Sequence, residues 1–243
     1  MQISVQMYTV RSLLQMGMLP LCEEVKKAGF ERVELAGFGN LEPFALKTGL
    51  NDIGLRISGS HVGEDALTTP RKVIDDHLAL GCTDVAVAWL PESYRHDRES
   101  FERTAGLLQE AAHNFADEGI RLSYHNHDFE FIEVGGEWGW DVLMSQASAI
   151  CAQVDVYWTS NAGHNPTEVL DRVKGRVFSI HAKDMALDGS FTEVGSGVLD
   201  WNAILSKCQE IGVETVVVEN DEPKLPPLES ISKSLSFLRA AAV

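Results

Sequence analysis

Basic residues are scarce in this chain. Lys and Arg number 20 against 36 Asp and Glu in 243 residues, a formal charge of -16. A surface that negative repels phosphate backbones and anionic lipid, which argues against nucleic acid or a membrane as partner. Long apolar runs are missing as well, and none approaches the ~18–20 residues of a membrane span. The first residues, from Met1 to Met7, have neither the basic nor the apolar region of a signal peptide, so the expected location is cytoplasmic. Cysteine is sparse. Cys22, Cys82, Cys151 and Cys208 are scattered with no Cys-x-x-Cys pair, and they read as reduced core thiols. No stretch is rich in Gly, Ser or Pro, and no charge run marks a linker. The chain therefore reads as one domain over residues 1–243.

What the sequence has is a rhythm. A short β-branched run alternates with a longer helical pattern about every 30 residues, the size of one βα step in a barrel of roughly 250 residues. The expected strands are Ile3–Tyr8, Arg32–Leu35, Leu55–His61, Asp84–Trp89, Ile120–His125 with an extension toward His127, Ala152–Val156, Val177–Lys183 and Thr215–Asn220. Helical patterns fill Leu19–Ala28, Arg71–Leu80, Glu99–Glu118, Asn202–Ile211 and Leu228–Ala240, and four of these stop at a Gly, a C-cap signal. Asn165-Pro166 reads as a helix start. Strict alternation predicts parallel strands with helical crossovers, and eight units favour a closed (β/α)8 TIM barrel. An open doubly wound sheet is the alternative, but no Gly-x-Gly-x-x-Gly follows an early strand to support it.

In such a barrel the chemistry sits at the C-terminal ends of the strands. Those ends are polar here: Glu34, His61, His125 and His127, Asp155, His181 and Lys183, and Glu219. Side chains alternate along a strand, so His125 shares a face with His127, and His181 with Lys183, while Ile180, Ala182, Val154, Val156 and Val218 take the other face. Helices cover the outside, so the polar set must point into the barrel mouth. His125, Asp155, His181 and Glu219, from four neighbouring strands, are the expected ligands of a divalent metal ion: Mn, Co, Zn, Fe or Mg. Any one of them alone would read as an ordinary hydrogen-bonding group.

These residues also carry a family resemblance. Gln6-Met7-Tyr8-Thr9-Val10-Arg11, the Gly29–Gly37 segment, Tyr124-His125-Asn126-His127-Asp128-Phe129-Glu130-Phe131, Asp155-Val156-Tyr157-Trp158, His181-Ala182-Lys183-Asp184, Gly195–Trp201 and Val218-Glu219-Asn220-Asp221 resemble the sugar phosphate isomerase/epimerase group with its xylose isomerase-like barrel. The resemblance runs from the first strand to the last. It implies a metal set of Glu, Asp, His and Glu from strands five to eight. The last three map onto Asp155, His181 and Glu219. His125 stands where the first Glu is usual, a pattern that looks like the inosose dehydratase branch. Without that Glu, a symmetrical two-carboxylate epimerisation lacks one of its bases. Endonuclease IV shares the barrel, but its Asp-x-x-His on strand six meets Trp158 here, and its later Asp-x-His has no match after His181.

The function expected from this resemblance is a metal-dependent isomerase or epimerase. Its substrate would be a keto-sugar or keto-cyclitol, turned over through an enediolate. A dehydratase-like or keto-glycoside lyase is the alternative, and a barrel that binds a sugar without turning it over is a third reading. Glu219 is the candidate base, and Lys183 and His127 are the candidate acids. Glu34, His61, Trp158 and Tyr8 are expected to bind substrate. Phe38, Trp89, Trp138 and Trp140 are further aromatic rings a sugar could stack on, though any one of them is more often core than platform. Gly195-Ser196-Gly197 could cradle a phosphate on backbone amides, but no Arg or Lys lies close by. His77, His96 and His113 fall on helix or loop patterns and read as surface residues. The partner is a small sugar or cyclitol, with room for a homo-oligomer.

Overall fold

The structure, a computed structural model, describes residues 1–241. Eight parallel strands form a closed barrel: β1 (Gln2–Gln6), β2 (Arg32–Ala36), β3 (Arg56–Val62), β4 (Asp84–Val87), β5 (Arg121–His125), β6 (Cys151–Asp155), β7 (Val177–Ala182) and β8 (Thr215–Val218). Around the barrel they run β1-β8-β7-β6-β5-β4-β3-β2. The crossover helices are α1 (Met18–Lys27), α2 (Pro43–Ile53), α3 (Pro70–Leu80), α4 (Arg98–Ala116), α5 (Gly139–Gln146), α6 (Pro166–Arg172), α7 (Trp201–Ile211) and α8 (Pro227–Ala240). This is the (β/α)8 barrel that the sequence rhythm predicts. No described helix is long and apolar enough to cross a membrane.

Local signals explain the crossovers. Pro43, Pro70, Pro166 and Pro227 sit in first turns, where a missing N–H costs nothing. Asp97 and Ser100 cap α4 reciprocally. Gly54 and Gly81 close α2 and α3 at φ 78° and 74°, a left-handed turn that favours glycine. Two helices are absent from the sequence reading, α2 and α5. Gly49 interrupts the first, and Gly139-Trp140 opens the second on an aromatic note. Five strands, β1, β4, β6, β7 and β8, stop earlier than expected at their C-terminal ends, while β2 and β3 run one residue further. Tyr8 lies in a 3-10 helix (Met7–Met16), and His127, Lys183 and Glu219 sit just past strand ends, on the loops of the barrel mouth.

The core lies between barrel and helices. Val5, Val33, Leu35, Val85, Val87, Leu122, Val154, Ile180, Val216 and Val218 are buried in one apolar cluster with Leu21, Val25, Leu46, Phe101, Leu108 and Leu205. Each such side chain contributes roughly 1.5–3 kcal/mol by leaving water. The barrel interior is different. Beside Ile57 and Val217 it holds many small or polar side chains, Ser4, Gln6, Ser58, Ser123, Gln153 and Ser179; Ser4 Oγ lies 2.6 Å from Ser58 Oγ. The register of β2 on β3 shifts between Val33, opposite Ile57, and Glu34, opposite Gly59. Ser58 is the extra residue of a bulge, which bends a strand and re-aims its neighbours.

At the N-terminal end of the barrel, Arg121 donates to Asp84 Oδ1 at 2.7 Å and to both oxygens of Glu214 at 3.1 and 3.0 Å. A polar cavity of about 220 Å³ opens there and reaches up to Glu34 and Gln153. His77 corrects the sequence reading. It is buried on α3, with Nδ1 2.7 Å from the Val73 carbonyl oxygen and its ring edge-on to Phe38. His96 and His113 are exposed, as expected.

Candidate active site and metal centre

At the opposite end, a cavity of about 560 Å³ opens between the strand ends. Tyr8, His61, Trp89, His125, His127, Lys183, Glu219 and Asp221 line it. Tyr8 and Trp89 stand about half exposed at its rim, each with an arginine over its ring, Arg11 and Arg95. Trp158 is not among the lining residues. Its ring sits 5.4 Å from His127 and under Lys183 Nζ at 5.8 Å. Trp140 is wholly buried, and Trp138 packs between Arg172 and His164 away from the mouth.

The floor is a compact charged network. One potential ligand atom from each of His125, Asp155, His181 and Glu219 lies within 4.8 Å of the others, and all four residues are buried. His181 is held from both sides: Nδ1 is 2.6 Å from Glu219 Oε2, and Nε2 is 2.6 Å from Glu34 Oε2. Lys183 Nζ sits 2.8 Å from Glu219 Oε2, 3.2 Å from Asp155 Oδ2 and 2.9 Å from Asp221 Oδ2. Asp155 Oδ1 accepts from the Trp158 N–H at 2.9 Å, and Asn126 Oδ1 accepts from the Asp155 N–H at 2.9 Å. These bonds tie the end of β5 to the end of β6.

Charge sets the protonation states. Burial works against every ion in the cluster, so each partner decides the outcome. Burial alone would lift the Glu219 carboxyl, but Lys183 and His181 outweigh it and hold it well below the usual range. Burial would lower His181, yet Glu34 and Glu219 push it up to about 10. His125 falls well below the ordinary imidazole value through burial and its His181 neighbour. His127 falls to about 3 through burial and Lys183. Both are neutral imidazoles at pH 7.

The residues fit a divalent cation. Two imidazoles and two carboxylates offer nitrogen and oxygen donors of the right hardness. One of the buried donors is also unfulfilled: Asp155 Oδ2, 3.8 Å from His125 Nε2, accepts no hydrogen bond. Lys183 is near that Asp155 oxygen only as an ion pair. Buried polar atoms are normally satisfied, so an orphan carboxylate oxygen among the convergent donors indicates a missing partner.

Glu34, expected at substrate hydroxyls, lies beneath the cavity floor with both oxygens engaged. His61 does line the cavity, 2.7 Å from Gln153 Oε1 and stacked on His181 at 4.8 Å. Glu130 was not foreseen. It is wholly buried behind the site, where it accepts from Tyr124 Oη and from the His127 N–H, each at 2.7 Å. Burial, only partly offset by those two donors, raises its carboxyl to about 7. The glycine loop after β7 holds no free phosphate cradle. Asp184 Oδ2 already accepts from the Gly195 and Gly197 amides at 2.8 and 3.0 Å and from Trp201 Nε1 at 2.8 Å.

Residues 22–241 match the xylose isomerase-like TIM barrel family. An inosose dehydratase of Geobacillus kaustophilus (strain HTA426) is 22% identical over 241 residues, covering 82% of this chain and 78% of that protein. An inosose dehydratase of Lacticaseibacillus casei is 23% identical over 260 residues, covering 90% and 87%. A sugar phosphate isomerase/epimerase from Parabacteroides distasonis ATCC 8503 superposes with a TM-score of 0.88 at 24% identity, covering 99% of this chain and 94% of that one, a likeness of fold.

Proposed function

We propose, from the premise that this chain belongs to the xylose isomerase-like TIM barrel family, that it is an enzyme. It would remove the proton α to the ketone of a small polyol, a keto-sugar or keto-cyclitol. The observation that carries this reading is the floor of the mouth cavity, where His125, Asp155, His181 and Glu219 bring their donor atoms together. A divalent cation held there would polarise the ketone and stabilise negative charge on oxygen.

The chain's own groups divide the remaining work. Glu219 binds His181 and Lys183 through Oε2, while Oε1 receives no hydrogen bond from any described residue. That free oxygen is the base for the α-proton. Lys183, expected as an acid, is held protonated by Asp155, Glu219 and Asp221, so its part is a fixed positive charge beside the developing enediolate. His127 enters as a neutral ring that lines the same cavity, where it can hydrogen-bond a substrate hydroxyl. Tyr8 and Trp89 offer apolar faces at the rim.

Two products follow from the same first step. Loss of a β-oxygen as water gives a dehydratase. This outcome is favoured by His125 in place of a second carboxylate and by relatives named inosose dehydratase. Return of the proton gives an isomerase or epimerase, favoured by the neutral His127 lining the same cavity as Glu219. The test is metal analysis of the purified protein, then incubation of inososes and keto-sugars in heavy water. Deuterium uptake with loss of water identifies the dehydratase, and deuterium uptake at otherwise unchanged composition identifies the isomerase. No uptake with any of them sinks the reading.

A further inference from the structure

Glu34 is a buried carboxylate that the reaction above does not use. It does not line the mouth cavity, so a ligand bound there would not touch it. It lies one layer down, and four side chains converge on it. Oε2 accepts from His181 Nε2 at 2.6 Å and from Gln6 Nε2 at 2.8 Å, with His61 Nε2 at 3.2 Å. Oε1 accepts from Gln153 Nε2 at 2.7 Å. Leaving a carboxylate in a barrel interior costs several kcal/mol unless it is matched this closely. Its space is also built. The bulge at Ser58 puts Gly59 opposite Glu34, and a Cβ on Gly59 would stand 2.9 Å from Glu34 Oε1. Gly59 is extended, so no backbone conformation requires glycine there. The missing side chain leaves room for the carboxylate.

We propose that Glu34, seated against Gly59, is a positioning residue that fixes the ring of His181 and thereby sets the affinity of the site for a divalent cation. An imidazole can bind a cation only through a nitrogen that carries no proton. Glu34 holds the proton on Nε2, so Nδ1, which faces Glu219, is the nitrogen left to exchange its proton for a cation shared with Asp155 and His125. His61, stacked almost parallel on the His181 ring at 8°, prevents it from tilting. Carboxylates behind a ligating imidazole change metal affinity by about 10–100-fold in general.

The inference rests on the metal reading, and the experiment separates the two. Mn2+ affinity of the metal-free, full-length protein is measured by calorimetry for wild type, Glu34→Gln and Gly59→Ala. The low-field proton resonance of the His181 Nε2–H is followed in the same samples without metal. The expected result is a 10–100-fold weaker Mn2+ affinity in both variants and loss of that resonance in Glu34→Gln. Gly59→Ala adds one methyl and removes no polar group, so it carries the test if Glu34→Gln does not fold. Mn2+ affinity within twofold of wild type in a folded variant overturns the proposal and leaves the metal reading intact. A wild type that shows the resonance but binds no Mn2+ overturns the metal reading and, with it, the affinity assigned to Glu34. Absence of the resonance in wild type overturns the positioning itself.

Discussion

The two ends of the barrel are built from similar charged side chains and put them to different use. At the N-terminal end, Arg121 forks onto Glu214 and reaches Asp84, all three partly exposed, and each nitrogen of that guanidinium has an acceptor. At the C-terminal end, Asp155, Glu219 and Asp221 crowd one ammonium, His125 and His127 stand neutral, and buried donor atoms lack partners. The first arrangement is complete and gains little from anything added. The second is tightly held yet unfinished, which is what binding and turnover require. Stability is surrendered where function is placed, and the polar barrel interior between the two ends carries the transition.

The largest effect that would break this comparison is at Glu219. Glu219→Gln is expected to keep the bound metal and to lower exchange of the substrate α-proton by roughly 10²–10⁴-fold, the usual worth of a positioned base. Exchange in heavy water measures it, and undiminished exchange would show that the unfinished end is not the reacting end. A middle-sized effect comes from Glu130. Its carboxyl ordinarily titrates at 4.5 but at about 7 when buried here. A raised carboxyl pKa means the folded state holds the proton more tightly than the unfolded state. The associated stability is therefore complete below pH 4.5 and is lost as pH rises through about 7, on the order of 3 kcal/mol in all. Glu130→Gln, which cannot titrate, should remove that slope in melting curves taken from pH 4.5 to 8; a slope unchanged by the substitution would reassign it. The smallest effect belongs to the finished end. Arg121→Ala should cost about 1 kcal/mol of stability, as partly exposed ion pairs do, and leave metal uptake and exchange unchanged. A change in either would mean that the two ends communicate.

The barrel was legible in the sequence because its signals are local. β-branched runs and terminal glycines need no knowledge of the rest of the chain. The four convergent donors were legible too, since alternation along a strand fixes which side chains face inward. Glu34 illustrates what was not. As a strand-end acid it reads like a group at the mouth. Its depth depends on a one-residue bulge in the next strand, and its partners Gln6, Gln153 and Gly59 lie on three other strands with nothing in the sequence to pair them. Glu130 had a faint signal, an acid between Phe129 and Phe131. Trp158 follows Asp155 by three residues, but that spacing gives its N–H to the Asp155 side chain and leaves its ring outside the mouth lining.

The loop after β7 has a consequence for where an anion can bind. Its glycine amides form the kind of nest that elsewhere receives phosphate, but here the nest is filled by Asp184 from the same chain. An incoming phosphate would have to displace a carboxylate whose tether keeps its local concentration in at least the ~mM range. It would also leave that carboxylate buried beside a second anion. The chain in effect carries a permanent competitor for any anion at these amides, so this loop is closed to phosphate by occupancy.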